Sequence, residues 1–415
     1  METRSHPGAA LRPHGSARTP RGRAPLRAWA AGLALAAGLA FAACLAPGPA
    51  AAQGVPPGGE RWIVLASRQD PAEAIALARA YRERFDATHV LTSSNGWHAV
   101  VAGPVSVADA GALEARLRAE PGLPDDLFLS DGTRFADPFW TADEPRVERL
   151  RFDGEAPLAF EADGLALVLE PVRDGADLAY PTLAAYEGRR VAFTIAFEDA
   201  ASFTAGARLI IAPLDPRAPG ERQIIASAFT GGAHCCAVTR IAGRVREEWL
   251  VIPGATLDGD LGYGVRDLDG DGIYELVSID QSFLYAYAPY AASFAPIVVE
   301  RFAGKALVEL TDDPRFRRAF EEDLAWMEGA ARENPGLWRE NGFLAAWAAS
   351  MARLGRWEEA RERIRTAFDR TSDWPLSICD APATDDGGCP AGAERPATFP
   401  QALEHHLRVR GYIDG

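Results

Sequence analysis

The chain has 415 residues, of which 48% are hydrophobic and 24% charged, a composition typical of globular proteins. Its formal net charge at pH 7 is −15, and it falls to −20 without residues 1–52, because that segment holds six arginines and one glutamate. A charge of this sign and size repels nucleic acid and anionic lipid, so we exclude nucleic acid as a partner.

Residues 1–52 have the pattern of a bacterial export signal. Six arginines accompany an apolar stretch, residues 28–45, and small residues at 50 and 52 predict cleavage after Ala52. In an alternative interpretation, Cys44 is the lipidated residue of a lipoprotein. Both interpretations predict export, to the periplasm or beyond. No later stretch approaches the roughly 20 apolar residues of a membrane span, so we expect no integral membrane protein after cleavage.

The rest of the chain exceeds what one hydrophobic core normally serves, so we predict a multidomain α+β protein. Its first domain, residues 60–135, has strand and helix periods in the order βαββαβ. The predicted strands are residues 62–67, 88–92, 97–102 and 126–129, and the predicted helices are residues 71–85 and 107–117.

This domain resembles the SPOR family, which binds peptidoglycan glycan strands that lack stem peptides. The resemblance rests on Trp62-Ile-Val64 and on residues 101–117, which follow the family's strand, Gly-Pro and helix. It implies a glycan site that includes Trp97 and Ser67. Strand alternation places Ile63, Leu65 and Ser67 on one face of the first strand, and Trp97, Ala99 and Val101 on one face of the third. If these residues form the open face of the sheet, a neighbouring domain or partner covers it, or it is a modified glycan groove.

Residues 150–310 alternate short apolar strands with turn residues and show no long helical period. This pattern predicts a β-rich domain, and it fits a sandwich, a barrel or a partial propeller. The predicted strands are residues 165–169, 190–197, 208–212, 223–229, 237–241, 247–252 and 275–279.

An aspartate-rich loop in this domain is the clearest chemical pattern in the chain. Acidic residues stand at its first, third, fifth and ninth positions, and two glycines allow the backbone to turn tightly. Hard oxygen ligands of this kind suit Ca²⁺. The loop resembles the turn of FG-GAP and related calcium-binding β repeats, and we predict a structural Ca²⁺; a solvated acidic turn without metal is the alternative. The predicted ligands are Asp267, Asp269, Asp271, the carbonyl of Ile273, and Glu275.

Four cysteines follow the export signal, and an exported protein normally pairs its cysteines. Cys379 and Cys389 flank a loop long enough to close a disulfide. Cys235 and Cys236 are adjacent, which favours a vicinal disulfide or two buried sulfurs over a metal site with His234, because neighbouring thiolates chelate poorly.

Residues 311–415 predict an α-helical C-terminal region. Two helical periods in residues 343–367 are broken at Gly355, which predicts a helical hairpin, and a further helix is predicted at residues 399–410. The hairpin resembles one tetratricopeptide repeat. A single repeat cannot build a binding groove, so a helical cap on the β-rich domain is the favoured interpretation.

No motif for a known catalytic centre is present in the sequence, so we predict a non-catalytic envelope protein that binds peptidoglycan or a protein partner. Two alternatives stay open. One is a cell-wall hydrolase with its site near His234 or the aspartate-rich loop. The other is an envelope assembly factor that uses the helical region.

Overall fold

The structure is a computed structural model that describes residues 54–175, 177–259, 262–381 and 389–414. The predicted export signal and Cys44 lie outside the described residues. Among the described residues, no helix combines the length and the hydropathy needed to cross a bilayer.

The first part of the described chain has its strands and helices in the predicted order. Asp70 begins the first helix by accepting hydrogen bonds from the amides of Ala72 and Glu73, and Asp109 begins the second in the same way. The elements are β1 (Arg61–Arg68), α1 (Pro71–Tyr81), β2 (Thr88–Ser93), β3 (His98–Val105), α2 (Ala110–Arg118) and β4 (Phe128–Ser130).

These strands belong to an antiparallel sheet of ten strands, which continues into the β-rich part of the chain. Its other strands are β5 (Phe135–Glu144), β6 (Val147–Phe152), β11 (Ala207–Ala212), β12 (Gln223–Phe229), β13 (Cys235–Val245) and β14 (Glu248–Asp258). The strand order is β14-β13-β12-β11-β6-β5-β2-β3-β1-β4. Because β2 pairs with β5, β5 with β6 and β6 with β11, backbone hydrogen bonds join the predicted domains of residues 60–135 and 150–310 into one sheet.

The predicted common face is wrong for Ile63 and Leu65, whereas Ser67, which lies beyond a bulge in the first strand, does oppose Ala99. Ile63 is paired with Ala102, and Val64 with Val101, and directly opposed residues share one face of a sheet. Ile63 and Leu65 therefore pack into the main core with α1, whereas Val101 packs with Trp62 on the other face. The register of the pair decides this arrangement, and hydrophobic alternation alone cannot fix the register.

Two smaller sheets lie on opposite faces of the ten-stranded sheet. The strands of the second sheet are β7 (Leu158–Ala162), β8 (Leu165–Asp174), β9 (Leu178–Glu187) and β10 (Arg190–Ala196). Those of the third are β15 (Gly264–Arg266), β16 (Glu275–Ile279), β17 (Ile297–Phe302) and β18 (Leu307–Glu309). Ile224 packs into the core shared with the second sheet, and its neighbour Ile225 into the core shared with the third.

The C-terminal region is helical, as predicted, and packs on the third sheet. Its helices are α3 (Arg317–Glu333), α4 (Asn341–Arg353), α5 (Trp357–Ala367) and α6 (Phe399–Val409). The predicted hairpin is formed by α4 and α5, which are separated at Gly355, where φ is +77°. Two short strands, β19 (Ser377–Cys379) and β20 (Glu394–Pro396), precede α6. The helices share a core with Val277 and Val299 of the third sheet.

Candidate functional site

The aspartate-rich loop joins β15 to β16 and coils around the side chain of Asp267. The Asp267 carboxylate accepts hydrogen bonds from the amides of Gly270 at 2.8 Å and Gly272 at 3.1 Å. Both glycines have positive φ, which allows this close turn. The loop therefore adopts the compact form that its sequence predicts.

Three of the four predicted carboxylate ligands converge. Oxygen atoms of Asp267, Asp269 and Glu275 all lie within 4.8 Å of one another. Asp271 stands outside this group, with a side chain that is 40% exposed and that accepts the amide of Ile273 at 2.8 Å. The Ile273 side chain is buried.

Two arginines from outside the loop contact these carboxylates. Arg301 of β17 forms a salt bridge with the buried Glu275 and lies 3.4 Å from Asp269, and Arg315 lies 3.1 Å from Asp269. Burial raises the pKa of Glu275, and the hydrogen bonds from Arg301 act in the opposite direction. The four carboxylates of the loop carry four negative charges and the two guanidinium groups carry two positive charges. Arg315 also pairs with Asp313, which adds a fifth negative charge, so the loop and its partners keep a net negative charge that a divalent cation would reduce.

The donor set therefore fits Ca²⁺, with Asp267, Asp269 and Glu275 as the residues that would hold it. All three supply carboxylate oxygens, the ligands that Ca²⁺ prefers. The ion would neutralise the loop and hold β15 and β16 together. Arg301 contacts two of the same three carboxylates, so it competes with the ion for their oxygens.

The two residues predicted to bind glycan, Trp97 and Ser67, are both exposed. Trp97 is 40% exposed and follows the turn between β2 and β3. Ser67 is exposed near the end of β1, paired with Ala99.

Both predicted cysteine pairs form disulfides. Cys379 and Cys389 are bonded, with their Cα atoms 5.7 Å apart. Cys235 and Cys236 are also bonded to each other, at the start of β13. The hydroxyl of Thr230 donates to the Cys235 carbonyl at 2.9 Å and accepts the Cys236 amide at 2.8 Å, which fixes the turn before the strand.

His234, next to this disulfide, is the centre of a cluster that joins three chain segments. Its Nδ1 lies 3.1 Å from Oδ1 of Asp258 at the end of β14, and its Nε2 lies 2.6 Å from the hydroxyl of Tyr285. Its ring is stacked on that of Tyr290, with centroids 4.2 Å apart. We call these four residues the His234 cluster.

The proton positions in the His234 cluster follow from its chemistry. A carboxylate only accepts hydrogen bonds, so Nδ1 of His234 carries a proton and donates it to Asp258. In the neutral imidazole, Nε2 is then an acceptor, and the Tyr285 hydroxyl donates to it. The phenol is thus hydrogen bonded to a base that a carboxylate orients, which is the arrangement of an activated nucleophile.

A second tyrosine and histidine pair lies on the same segment, residues 280–293, which we call the tyrosine segment. The hydroxyl of the buried Tyr287 lies 2.7 Å from Nδ1 of His406 on α6, and Ser282 Oγ lies 2.8 Å from Nε2. Burial lowers the pKa of His406 to about 4, so the ring is neutral at neutral pH.

Ser282 is not an activated nucleophile in this arrangement. Its hydroxyl lies 2.6 Å from Oδ1 of the buried Asp280, and a carboxylate at that distance must accept the single hydroxyl proton. His406 therefore donates Nε2–H to Ser282. Asp280 also accepts from Arg410 at 3.1 Å and Tyr412 at 3.0 Å, so the network joins the tyrosine segment to the C-terminal residues.

The sequence singled out His234 but not its partners. Asp258 and Tyr285 stand 24 and 51 residues further along the chain and belong to no motif with it. The unusual density of tyrosines at 285, 287 and 290 was the one signal that could have found the segment.

Comparisons with known proteins give relatives along most of the chain. A family model described as the sll0997 C-terminal domain matches residues 320–411. The uncharacterized protein y4bJ of Sinorhizobium fredii is 41% identical over 360 residues, 86% of this chain and 56% of y4bJ. The probable thylakoid lumen protein sll0997 of Synechocystis is 30% identical over 244 residues, 58% of this chain and 70% of sll0997. The chain thus spans little more than half the length of y4bJ. No solved structure matches the chain.

These comparisons overturn the identification as a SPOR-domain envelope protein. The matching family model is that of sll0997, and neither relative is described as a SPOR protein. The predicted hairpin lies inside the matched residues 320–411, so the tetratricopeptide resemblance is also replaced. The glycan-binding role of Trp97 and Ser67 rested on the SPOR resemblance and loses its basis.

Proposed function

The chain belongs to the family of the sll0997 protein of Synechocystis, and on that premise we propose that it is an exported protein that works outside the cytoplasm. We propose that the His234 cluster is its functional site. The relative is described as a probable thylakoid lumen protein. The observation that carries the proposal is the pairing of all four cysteines that follow residue 52. Disulfides persist in oxidising compartments and are rare in the cytosol.

A reporter fusion tests export. Residues 1–60 are fused to alkaline phosphatase, which is active only where its own disulfides form, and the fusion is expressed in a bacterium. We expect activity, because the arginines and apolar stretch of residues 1–52 match an export signal. The control fusion lacks residues 1–52 and should be inactive. Equal activity of the two fusions would contradict export.

The His234 cluster is proposed as the functional site because it places reactive side chains at the protein surface. A base, an orienting carboxylate and a hydroxyl come from three distant segments, and Tyr285 remains 43% exposed. A base that contacts both a carboxylate and an exposed hydroxyl meets the geometric criteria by which an active site is recognised. Peptidoglycan binding is not retained, and a protein partner stays a prediction. The arrangement of this cluster also weighs against a purely non-catalytic protein.

We propose in addition that the aspartate-rich loop binds Ca²⁺ as a structural ion. The uncompensated negative charge around the loop and the three converging carboxylates support this proposal. Calcium is abundant outside the cytoplasm, where loops of modest affinity can be filled.

Thermal unfolding tests the calcium proposal. An ion that binds only the folded state, at a hundredfold excess over its dissociation constant, adds about 2.7 kcal/mol to the free energy of unfolding. We therefore expect a higher melting temperature in Ca²⁺ than in chelator. Asp267→Asn, which keeps an oxygen for the loop amides but loses the charge, should reduce the difference.

Asp271→Asn is the matched control, because Asp271 lies outside the converging group, and it should retain most of the calcium effect. Identical melting curves of the wild type in calcium and in chelator would make the loop an ordinary acidic turn held by Arg301.

A further inference from the structure

We propose that Tyr285 is a nucleophile that attacks uncharged acyl esters, with His234 as its general base and Asp258 as the residue that positions the base. This inference rests on the His234 cluster being the functional site.

The hydrogen-bond order supports this assignment. Asp258 accepts from Nδ1 of His234, so the neutral ring can only accept at Nε2, where the Tyr285 hydroxyl lies at 2.6 Å. The amide of Gly259 donates to the carbonyl of His234 at 2.6 Å and to the carboxylate of Asp258 at 2.9 Å, which holds these two residues next to each other. The stacked ring of Tyr290 restricts His234 from the other side.

The backbone of Tyr285 also distinguishes it from its neighbours. Its φ is +59°, in the left-handed region that a bulky side chain rarely occupies. Backbone strain of this kind persists only where the surroundings enforce it, and it is concentrated at functional sites. At this position the phenol is 43% exposed and its hydroxyl lies against His234.

Tyr287 on the same segment provides an internal comparison. It also contacts a histidine, but it is 3% exposed, and the other nitrogen of its His406 contacts a serine instead of a carboxylate. This second pair lacks both access to a substrate and the orienting charge. The proposal therefore predicts reaction at Tyr285 and none at Tyr287.

Charge selects the class of substrate. The carboxylate of Asp258 lies directly behind His234, and the chain has a formal net charge of −15. An anionic phosphoryl donor would be repelled from this surface. An uncharged acyl ester is not repelled, and its carbonyl carbon is a suitable electrophile for a phenol.

The reaction step balances without a further reactant. The phenol oxygen of Tyr285 forms a bond to the carbonyl carbon as its proton passes to Nε2 of His234. The bond from that carbon to the alcohol oxygen then breaks, and the imidazolium returns the proton to the departing alcohol. An acyl-tyrosine and a free alcohol are the products.

The test uses 4-nitrophenyl acetate with the full, disulfide-bonded chain. We expect a burst of one equivalent of 4-nitrophenolate and one acetyl group on the peptide that contains Tyr285, found by mass spectrometry. Lys305 is the only lysine in the sequence, so acetylation of amines is confined to it and the N-terminus.

Three variants assign the roles. Tyr285→Phe should lose the burst, and His234→Gln should slow acetylation of Tyr285 by roughly 10²-fold, the low end for loss of a general base. Asp258→Asn should slow it by roughly tenfold in the wild type and change it little in the His234→Gln background, because Asp258 acts only through His234. A merely structural Asp258 would slow acetylation to the same extent with His234 and with glutamine at that position.

Acetylation confined to Lys305 and the N-terminus, or equally fast at Tyr285 in His234→Gln, would overturn the inference. The melting temperature of Tyr285→Asn then shows whether the acyl chemistry alone fails or the functional-site proposal fails with it. Asparagine is used because it tolerates the left-handed backbone region, so the variant loses the phenol without adding strain. Without a burst, a melting temperature at or above that of the wild type rejects the acyl chemistry but leaves the cluster as the functional site. A clear fall shows that Tyr285 only fastens the tyrosine segment, and it rejects both proposals.

Discussion

Replacing Glu148 by alanine is expected to lower the free energy of unfolding by about 3–5 kcal/mol, because it leaves two half-buried arginines without their shared partner. Glu148 Oε2 accepts from Arg79 Nη2 at 2.6 Å and from the Trp140 indole at 3.1 Å. Oε1 accepts from Arg222 at 3.0 Å. The Glu148 side chain is only 8% exposed and that of Arg222 13%, so water replaces these contacts poorly.

The Glu148 network also fastens separate parts of the fold to one another. Arg79 lies on α1, Glu148 on β6, and Arg222 continues to Asp163, between β7 and β8, at 2.7 Å. Loss of the central carboxylate therefore loosens α1 and the second sheet from the ten-stranded sheet together. For this reason we expect the free energy of unfolding to fall by much more than a single hydrogen bond contributes.

Denaturant unfolding monitored by tryptophan fluorescence measures the effect. Asp137→Ala is the matched control, since Asp137 pairs with Arg151 on the same sheet but both side chains are more than half exposed. Such exposed pairs contribute about 0–1 kcal/mol. The loss of unfolding free energy in Glu148→Gln should lie between those of Glu148→Ala and Asp137→Ala, because glutamine keeps the shape of the side chain and loses its charge. A loss below 1 kcal/mol in Glu148→Ala would show that the network is not a major source of stability.

The local elements were predictable from the sequence because their signals are local. The order of strands and helices in residues 60–135, the hairpin broken at Gly355 and the tight aspartate-rich loop each follow from periodicity or turn residues within about 30 positions. Strands such as β5 and β6 were missed. Charged and polar residues interrupt their alternation, and their place in the sheet depends on pairing with β2 and β11.

The chemistry of the sites depends on long-range contacts, which the sequence does not reveal. Arg301 and Arg315 reach the aspartate-rich loop from positions after β16, so the loop sequence alone overstates its need for a metal. His234 acquires its roles from Asp258 and Tyr285, which only the fold brings together. The same limit explains the wrong common face around Leu65, because register is set by pairing across strands.

Replacing Asp323 by asparagine is expected to remove a pH-dependent loss of stability. Asp323 lies on α3 and is 9% exposed, and its Oδ2 has no hydrogen-bond partner among the described residues. Burial raises its pKa from 3.8 to about 7, and a hydrogen bond from Ser350 and the charge of Arg353 only partly oppose this.

The direction of the effect follows from proton binding. Between pH 3.8 and about 7 the carboxyl is protonated in the folded chain and ionised in the unfolded chain. The folded state then binds more protons, so the free energy of unfolding falls as the pH rises through this window. At 1.36 kcal/mol for each pKa unit, the fall is on the order of 4 kcal/mol and is complete above pH 7.

The measurement is the difference in unfolding free energy between Asp323→Asn and the wild type at pH 5, 6, 7 and 8. The variant should become more stable relative to the wild type as the pH rises, because asparagine cannot ionise. Glu322→Gln, on the exposed side of the same helix, is the control for the substitution itself. A difference that stays constant from pH 5 to 8 would mean that Asp323 ionises as readily in the folded chain as in the unfolded one. Asp323 lies within residues 320–411, which match the family model, so the pH dependence would concern the part of the chain that the family model covers.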